Sequence, residues 1–349
     1  MRLQTLFDTA LPIIQAPMAG VQGSGLAAAV SNAGALGSLP CALLSPQRLR
    51  EELLALSQQT HRPYNVNFFC HAQPVADEAR ETAWRAALAP YYAELGIDAT
   101  AVTAAPARAS FDAGTCELLE QFRPAVVSFH FGLPAPELLA RVKAWGAKVL
   151  SSATTVEEAR WLEQRGVDAI IAQGLEAGGH RGHFLSDDLN QQMGTFALLP
   201  QIIRAVNVPV IAAGGIADAG GIAAALAFGA AGVQVGTAYL LCQEATTHAV
   251  HRAALQSDAA GVTALTNLFT GRAARGIVNR FMRELGPISP LAPAFPLAAS
   301  ALAPLRSRCE SLRSPDFSPL WAGQNASGCR EVSAAQLTWQ LAGRPTRNN

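Results

Sequence analysis

The chain has 349 residues, half of them hydrophobic, and its 26 Lys and Arg residues balance 26 Asp and Glu residues. That length suits one large α/β domain or a barrel with an appendage. The balanced charge leaves no global field to attract nucleic acid or an anionic membrane, and it argues against both as partners.

The compartment expected from the sequence is the cytoplasm. The six cysteines are scattered and form no C-x-x-C pair, as in a chain of reduced thiols. The first fifteen residues lack the basic segment and long apolar core of a signal peptide. The longest apolar tract, 208–241, is interrupted by glycine pairs and by Asp218, which argues against a membrane span.

Short apolar runs bounded by turn residues, the pattern of buried parallel strands, recur along the chain. They fall at 12–17, 35–40, 64–70, 125–132, 147–154, 167–174, 208–215 and 231–238. Helical patterns separate them. Eight strands alternating with helices predict a TIM (β/α)8 barrel rather than an open doubly wound sheet. A Rossmann fold would need G-x-G-x-x-G after the first strand, and "QAPMAGVQGSG" does not supply it.

Other segments do not fit a plain barrel, taken as 1–238. Residues 71–124 form a long connection with room for extra helices and the loop "ATAVTAAPARASF". Residues 239–320 are predicted to form a smaller appended helical substrate or lid domain, which includes the Pro-rich "GPISPLAPAFPLAAS". Residues 321–349 are expected to hold a C-terminal helix that returns to the barrel.

Glycines end the last two predicted strands. The seventh run ends in Gly214 and Gly215 before a helix that starts near Asp218, and the eighth ends in Gly236 and Thr237. The loops after strands seven and eight of a barrel commonly bind phosphate, through close backbone N–H groups and a helix N-terminus. The alternative is that these glycines only make tight turns. The pattern in both loops favours the phosphate site.

Polar side chains gather at the predicted carboxyl ends of strands, where barrel active sites lie. They are Gln15, Met18, Asn67, Ser128, His130, Ser151, Gln173 and His180. The amides of Asn67 and Gln173 can each donate and accept, which suits the edge of a flat heterocycle, although each could equally be a satisfied core residue. Together with a phosphate site they indicate a mononucleotide-like cofactor such as FMN.

The histidines have different expected roles. His180 lies in the Gly-rich loop "EAGGHRG", from which an imidazole can reach the barrel mouth as base, acid or hydrogen-bond donor; a surface turn is the alternative. His130 is either a site residue or a buried structural one. His183 forms H-x-x-H with His180, but no third ligand stands nearby and no metal is expected. His248 and His251 are expected on a solvated helix face. No G-x-S-x-G or Walker loop supports a hydrolase or NTPase.

Seven segments together resemble the nitronate monooxygenase family, formerly called 2-nitropropane dioxygenases, and most closely its bacterial class I enzymes. They read "PIIQAPMAG", "NVNFFCH", "VSFHFG", "AQGLEAGGHRG", "AAGGI", "VQVGTAYL" and "TGRAARGIVNRF". The resemblance covers the chain from about residue 10 to the C-terminal helix. "NVNFFCH", "EAGGHRG" and "TGRAARG" are its specific motifs, whereas "AGGI" is shared by many FMN barrels.

The resemblance implies an enzyme with non-covalent FMN that oxidises alkyl nitronates, such as propionate 3-nitronate, by one-electron transfer. O2 takes part, and a carbonyl compound and nitrite form, which suggests a detoxifying role. The FMN contacts implied are Met18, Asn67, Gln173, Gly178, Gly215, Gln234, Val235, Gly236 and Thr237. The implied catalytic residue is His180, which would stabilise the nitronate anion and act as base only on a neutral nitroalkane. Substrate contacts are expected from His130, His180 and Phe295.

The late lid segment departs from the family pattern. Class I enzymes carry tyrosines and a lysine there, whereas this chain has Phe295, Ala299 and Ala303 at those positions. The departure suggests either a less acidic, more apolar substrate or a changed lid, and it predicts poorer use of propionate 3-nitronate than of uncharged alkyl nitronates. Arg181 is a second candidate source of positive charge. A homodimer and an FMN-dependent NAD(P)H:quinone or enoyl reductase activity stay open.

Overall fold

The computed structural model describes residues 2–75, 77–98 and 110–344. Most of the predicted loop at 99–111 therefore lies outside the described residues. The strands are β1 (Ile13–Gln15), β2 (Gly37–Pro40), β3 (Tyr64–Phe69), β4 (Val126–His130), β5 (Lys148–Ala153), β6 (Ala169–Gln173), β7 (Gly179–His180), β8 (Val210–Ala213), β9 (Gly232–Val235), β10 (Thr263–Thr266) and β11 (Ala274–Ile277).

Helices follow most of the strands, as the sequence pattern predicts. They are α1 (Leu3–Phe7), α2 (Ser24–Asn32), α3 (Pro46–Gln59), α4 (Glu78–Glu94), α5 (Ala113–Phe122), α6 (Pro136–Ala144), α7 (Val156–Gln164), α8 (Thr195–Ala205), α9 (Ala219–Ala227), α10 (Ala249–Leu255), α11 (Arg280–Leu285), α12 (Ala298–Ser311) and α13 (Ala334–Leu341).

Eight strands form one parallel sheet in the order β1-β9-β8-β6-β5-β4-β3-β2. A parallel bridge between Ile14 and Leu36 joins its two edges. There the Gln15 N–H donates to the carbonyl of Leu36 at 2.9 Å, and the Leu36 N–H donates to that of Ile13 at 2.9 Å. The sheet is thereby closed into a barrel. The predicted TIM-barrel fold is confirmed, with all eight predicted strands in place.

The barrel strands are buried on both faces. Outward residues such as Ile13 and Val233 pack beneath the helices. Inward residues such as Ile14 and Ile211 form a separate apolar cluster with Leu3 of α1. Leu3 also donates its N–H to Ala231, just before β9, so α1 closes the amino-terminal end of the barrel. That packing leaves the carboxyl end of the strands as the open mouth.

A second apolar core lies outside the barrel. Trp84 and Tyr92 of α4 pack with Phe281 of α11 and Leu302 of α12. The indole of Trp84 donates to the carbonyl of Ala298 at 3.2 Å. The appendage expected to be helical at 239–320 also holds β10 and β11, which form an antiparallel sheet with β7. The appendage also recruits α4 from the long connection at 71–124. The proposed domain boundaries stay a prediction.

The chain's last described helix lies against the barrel. The Thr338 hydroxyl of α13 bonds the buried Tyr239 hydroxyl at 2.9 Å, and the Trp339 indole donates to Ala33 at 3.3 Å. Within the described ranges, none of the helices combines the length and the apolar character that a membrane crossing needs.

Candidate active site

A cavity of about 490 Å³ opens at the carboxyl ends of the barrel strands, and the appendage covers it. That volume is typical of a pocket for a small ligand or cofactor. Its wall includes eight of the residues predicted to contact a cofactor: Met18, Asn67, Gln173, Gly178, Gly215, Gln234, Gly236 and Thr237. The ninth, Val235, is 1% exposed, belongs to the barrel core and does not line the cavity. The predicted contact between Val235 and FMN stays a prediction.

One end of the cavity is a backbone cradle. Gly214 and Gly215 follow β8 with φ angles of 117° and 74°, a region that favours glycine. Gly323 donates its N–H to the Thr237 hydroxyl at 2.9 Å, and the Asn325 amide donates to the carbonyl of Gly215 at 3.0 Å. The segment 323–325 therefore ties the loops after β8 and β9 together.

The helix N-terminus expected at this cradle lies elsewhere. α9 begins at Ala219, and the Asp218 carboxylate caps it by accepting the Gly221 N–H at 2.7 Å. Residues 217–219 line a separate, smaller cavity. The predicted contribution of this helix terminus to phosphate binding stays a prediction, and the cradle itself offers loop N–H groups and hydroxyl donors.

Glu176 is an acidic residue in the same wall, but its carboxylate already accepts hydrogen bonds within the protein. Its carboxylate accepts the Thr195 N–H at 2.8 Å and the Thr195 hydroxyl at 2.8 Å. Thr195 is the first residue of α8, where a carboxylate interacts favourably with the helix dipole. This engagement reduces the repulsion between Glu176 and an anion in the cradle.

Gln234 offers an unused acceptor in the wall. Its Oε1 is buried and has no hydrogen-bond partner among the described residues. Buried polar atoms in folded proteins are nearly always hydrogen-bonded. A ligand N–H in the cavity would supply one. Across the barrel, the Asn67 amide donates to the Ser128 hydroxyl at 2.9 Å, which fixes another polar edge.

The loop that carries His180 is held by its backbone. Gln173 donates from Nε2 to the carbonyl of His180 at 3.0 Å and accepts the Gly182 N–H at 2.7 Å. His130 Nε2 donates to the same carbonyl at 3.2 Å. β7 also pairs with β11, with His180 opposite Ala274. Three elements thus fix the position from which the imidazole projects.

The ring of His180 forms part of the cavity wall. Its Nε2 lies 2.9 Å from the Thr270 hydroxyl, a hydrogen bond that orients the imidazole. The ring centroids of Trp321 and Phe69 lie 5.5 Å and 6.3 Å away. Phe295, predicted to contact substrate, also packs on His180 at 5.3 Å, but it is buried and does not line the cavity. Phe295 therefore packs behind the His180 ring, and its expected substrate contact stays a prediction.

His130 lines the cavity as a neutral imidazole. Burial lowers its pKa to about 3, and the nearby Arg272 guanidinium acts in the same direction. Because the carbonyl of His180 can only accept, Nε2 carries the proton and Nδ1 accepts from the Ser152 hydroxyl at 3.1 Å. Both nitrogens are therefore occupied. His130 positions the His180 loop, and its predicted substrate contact stays a prediction.

Arg181 faces away from the site. Its side chain is fully buried, and its guanidinium donates to the carbonyls of Gln173 and Gly174 at 2.7 Å each and to Gln192 at 3.0 Å. It does not line the cavity. Arg181 therefore holds the end of β6 in shape and supplies no charge to a substrate.

Other polar side chains differ from expectation. Gln15 and Ser151 are buried and form hydrogen bonds with the barrel backbone, since Gln15 accepts the Ser38 N–H at 3.0 Å and Ser151 donates to the carbonyl of Gly132 at 2.8 Å.

His251, predicted on a solvated helix face, is 5% exposed and lines the cavity, and burial lowers its pKa to about 4. His183 is buried too, and its Nε2 lies 3.3 Å from the Asp187 carboxylate.

Sequence reasoning missed several residues of the cavity wall. Ser152 lies on barrel strand β5, Thr270 and Arg306 belong to the appendage, and Trp321 and Asn325 follow it. A signal existed for Thr270, which opens the motif "TGRAARG". For Arg306 the signal was its position seven residues after Ala299 and three after Ala303, which places all three on one helix face.

Comparisons with known proteins agree with this geometry. A family model described as nitronate monooxygenase matches residues 1–343. A nitronate monooxygenase from Pseudomonas aeruginosa is 43% identical over 96% of both chains. Another from Paraburkholderia phytofirmans is 42% identical over 95% of this chain and 91% of its own length.

Solved structures show similarity over nearly the whole chain as well. The nitroalkane oxidase from Streptomyces ansochromogenes superposes with a TM-score of 0.88 at 39% identity, over 98% of this chain and 97% of its own. FabK from Thermotoga maritima superposes with a TM-score of 0.72 at 27% identity, over 98% of this chain and 94% of its own. The likeness spans the barrel and the appendage together.

Proposed function

This chain belongs to the nitronate monooxygenase family of oxidoreductases, and on that premise we propose that it binds FMN and uses O2 to oxidise alkyl nitronates to carbonyl compounds and nitrite. The family and the enzyme class predicted from the sequence are confirmed by these matches. A cytoplasmic, detoxifying role completes the proposal.

One observation supports the proposal most strongly: a single cavity joins a glycine-rich anion cradle to a wall that carries His180. The cradle suits a phosphate, because backbone N–H groups and a hydroxyl bind anions well. The orphaned Oε1 of Gln234 suits a ring N–H. A Cβ on Gly179 would meet no protein atom within 4 Å, so the missing side chain leaves open space beside His180.

These residues fit FMN. Gly214, Gly215, Gly236 and Thr237 would hold the phosphate, and Gln234 would hold the edge of the ring. When bound, FMN supplies the electron acceptor for the oxidation.

The role of His180 follows from the substrate's charge. A nitronate is already an anion, so no proton has to be removed from its carbon. A polar hydrogen-bonding side chain that the fold fixes in place stabilises such an anion at little reorganisation cost. Thr270 orients the imidazole of His180, while Gln173 and His130 fix its backbone. The aromatic side chains of Phe69 and Trp321 shield that side of the cavity from water.

The test is direct. The purified protein is examined by absorption spectroscopy for bound flavin, and nitrite release is then measured with a panel of alkyl nitronates in air. We expect flavin absorption and nitrite formation that depends on both nitronate and O2. A flavin-free protein to which added FMN does not bind, or a flavoprotein that releases no nitrite, would refute the proposal.

The second candidate function is an FMN-dependent NAD(P)H:quinone or enoyl reductase, the alternative that the sequence leaves open. Anaerobic mixing separates the two functions. Rapid bleaching of the flavin by NAD(P)H, with none by a nitronate, would favour the reductase. Bleaching by a nitronate alone would favour nitronate oxidation.

A further inference from the structure

The outer part of the cavity is lined by one face of α12. Ala299, Ala303 and Arg306 all contribute to this wall, at helical spacing. Two of these side chains are methyl groups, so they leave room in front of the longer Arg306. The aromatic side chain of Trp321 lines the same cavity.

Arg306 is the only lysine or arginine among the described residues that line the cavity. Its Nε donates to Glu310 at 2.8 Å. Glu310 also accepts from the Ser318 hydroxyl at 2.9 Å, so the carboxylate anchors one edge of the guanidinium. Neither Nη group makes a hydrogen bond within the described ranges. Arg306 thus keeps donors for a ligand.

Two other titratable groups of the described cavity wall do not compete for this role. The carboxylate of Glu176 is held by Thr195 at the first turn of α8. His251, which also lines the cavity, has a pKa of about 4 because it is buried and because Arg306 lies near it. It is neutral at physiological pH and adds no second positive charge.

We propose that Arg306 determines specificity by binding an anionic group, such as a carboxylate, on the far end of the nitronate substrate. This inference rests on the proposed nitronate oxidation. The missing lid lysine at Ala303 then marks a changed lid rather than an apolar preference, because the cation is supplied from the next position along the same helix face. The preferred substrates are carboxylated nitronates.

The size of the effect on substrate specificity follows from the geometry and the exposure of Arg306. A guanidinium matches the two oxygens of a carboxylate. The Arg306 side chain is 47% exposed, so solvent screens part of the attraction. A partly screened charge-assisted contact corresponds to about a tenfold change in kcat/KM.

The test compares propionate 3-nitronate with the nitronate of 1-nitropropane, a substrate of equal carbon number without the carboxylate. The measured quantity is the ratio of their kcat/KM values in the flavin-loaded enzyme. We expect Arg306→Gln to lower this ratio about tenfold, mainly through KM of the carboxylated substrate. Arg306→Lys should lower it less, since it keeps the charge. Added salt should lower the wild-type ratio more than that of Arg306→Gln.

Two further variants guard against a merely structural effect. Arg308→Gln removes an exposed arginine of α12 that does not line the cavity, and it should leave the ratio as it is. Ala303→Lys in the Arg306→Gln background returns a cation to the same wall and should raise the ratio again. An unchanged ratio in Arg306→Gln, or an equal loss in Arg308→Gln, would overturn the inference. Nitrite from neither nitronate in the wild-type enzyme would instead refute the proposed function.

Discussion

Gln173 is the residue on which the geometry of the active-site loop most depends. It is 8% exposed, and its amide spans the loop by donating to the carbonyl of His180 and accepting the N–H of Gly182. In Gln173→Ala the Gly182 N–H loses its partner, whereas the carbonyl of His180 keeps its bond from His130. The change therefore creates one buried unsatisfied donor and removes one further hydrogen bond.

The cost follows from these two losses. An unsatisfied buried donor costs about 1–3 kcal/mol and a lost hydrogen bond about 1 kcal/mol, so the free energy of unfolding should fall by about 2–4 kcal/mol. In a protein of this size that lowers Tm by roughly 5 °C. Because His180 also loses an anchor, kcat/KM for a nitronate should fall by about tenfold or more.

Thermal unfolding and nitrite-release kinetics measure both effects. Gln173→Glu is the informative isostere, because it keeps an acceptor for Gly182 but places a carboxylate oxygen against the carbonyl of His180; it should lose activity as well. Gln164→Ala, at the exposed end of α7, is the matched control. If Gln173→Ala and Gln173→Glu both retain kcat/KM within about twofold of wild type, the positioning argument is refuted.

Further predictions concern packing, catalysis and pH. A Cβ on Gly178 would lie 2.5 Å from the backbone N of Gly323, so Gly178→Ala should displace that segment and weaken FMN binding. Gly261→Ala is the control, since a Cβ there would have nothing within 4 Å, and it should not weaken FMN binding. Equal flavin affinity of the two variants in fluorescence titrations would contradict the prediction. His180→Asn should keep FMN but lose most nitrite-forming activity, and unchanged kcat/KM would remove its catalytic role. The free energy of unfolding should fall by up to about 1.4 kcal/mol per pH unit for each buried histidine as the pH drops from about 6.5 towards 4. Over that range the unfolded chain binds protons at these histidines, whereas the folded chain, in which their pKa is lower, does not. Denaturant titrations that show no such slope would contradict the prediction. The histidines whose pKa burial lowers are His130, His183 and His251.

Much of the site could be predicted because it follows the barrel's strand order. Asn67, Gln173 and Gln234 lie on barrel strands, and the glycines after β8 follow directly from one. Once eight strands are recognised, their carboxyl ends must meet at one mouth. Local pattern could not report the direction of side chains: Arg181 and Val235 turn into the protein, and the helix after Asp218 starts beside another cavity.

The sequence by itself determined the barrel, its open end, the family and the segment that carries His180, because strand periodicity, turn glycines and short motifs are local properties. The tertiary structure alone decided how that segment is used. β7 pairs with β11, nearly a hundred residues further along the chain, and this pairing brings Thr270 to His180 and closes the appendage over the mouth. It also decided that Arg306 lines the cavity, since only the packing of α12 shows which helix face forms the wall. Contacts between distant parts of the chain depend on packing of the whole molecule, and no local pattern encodes them.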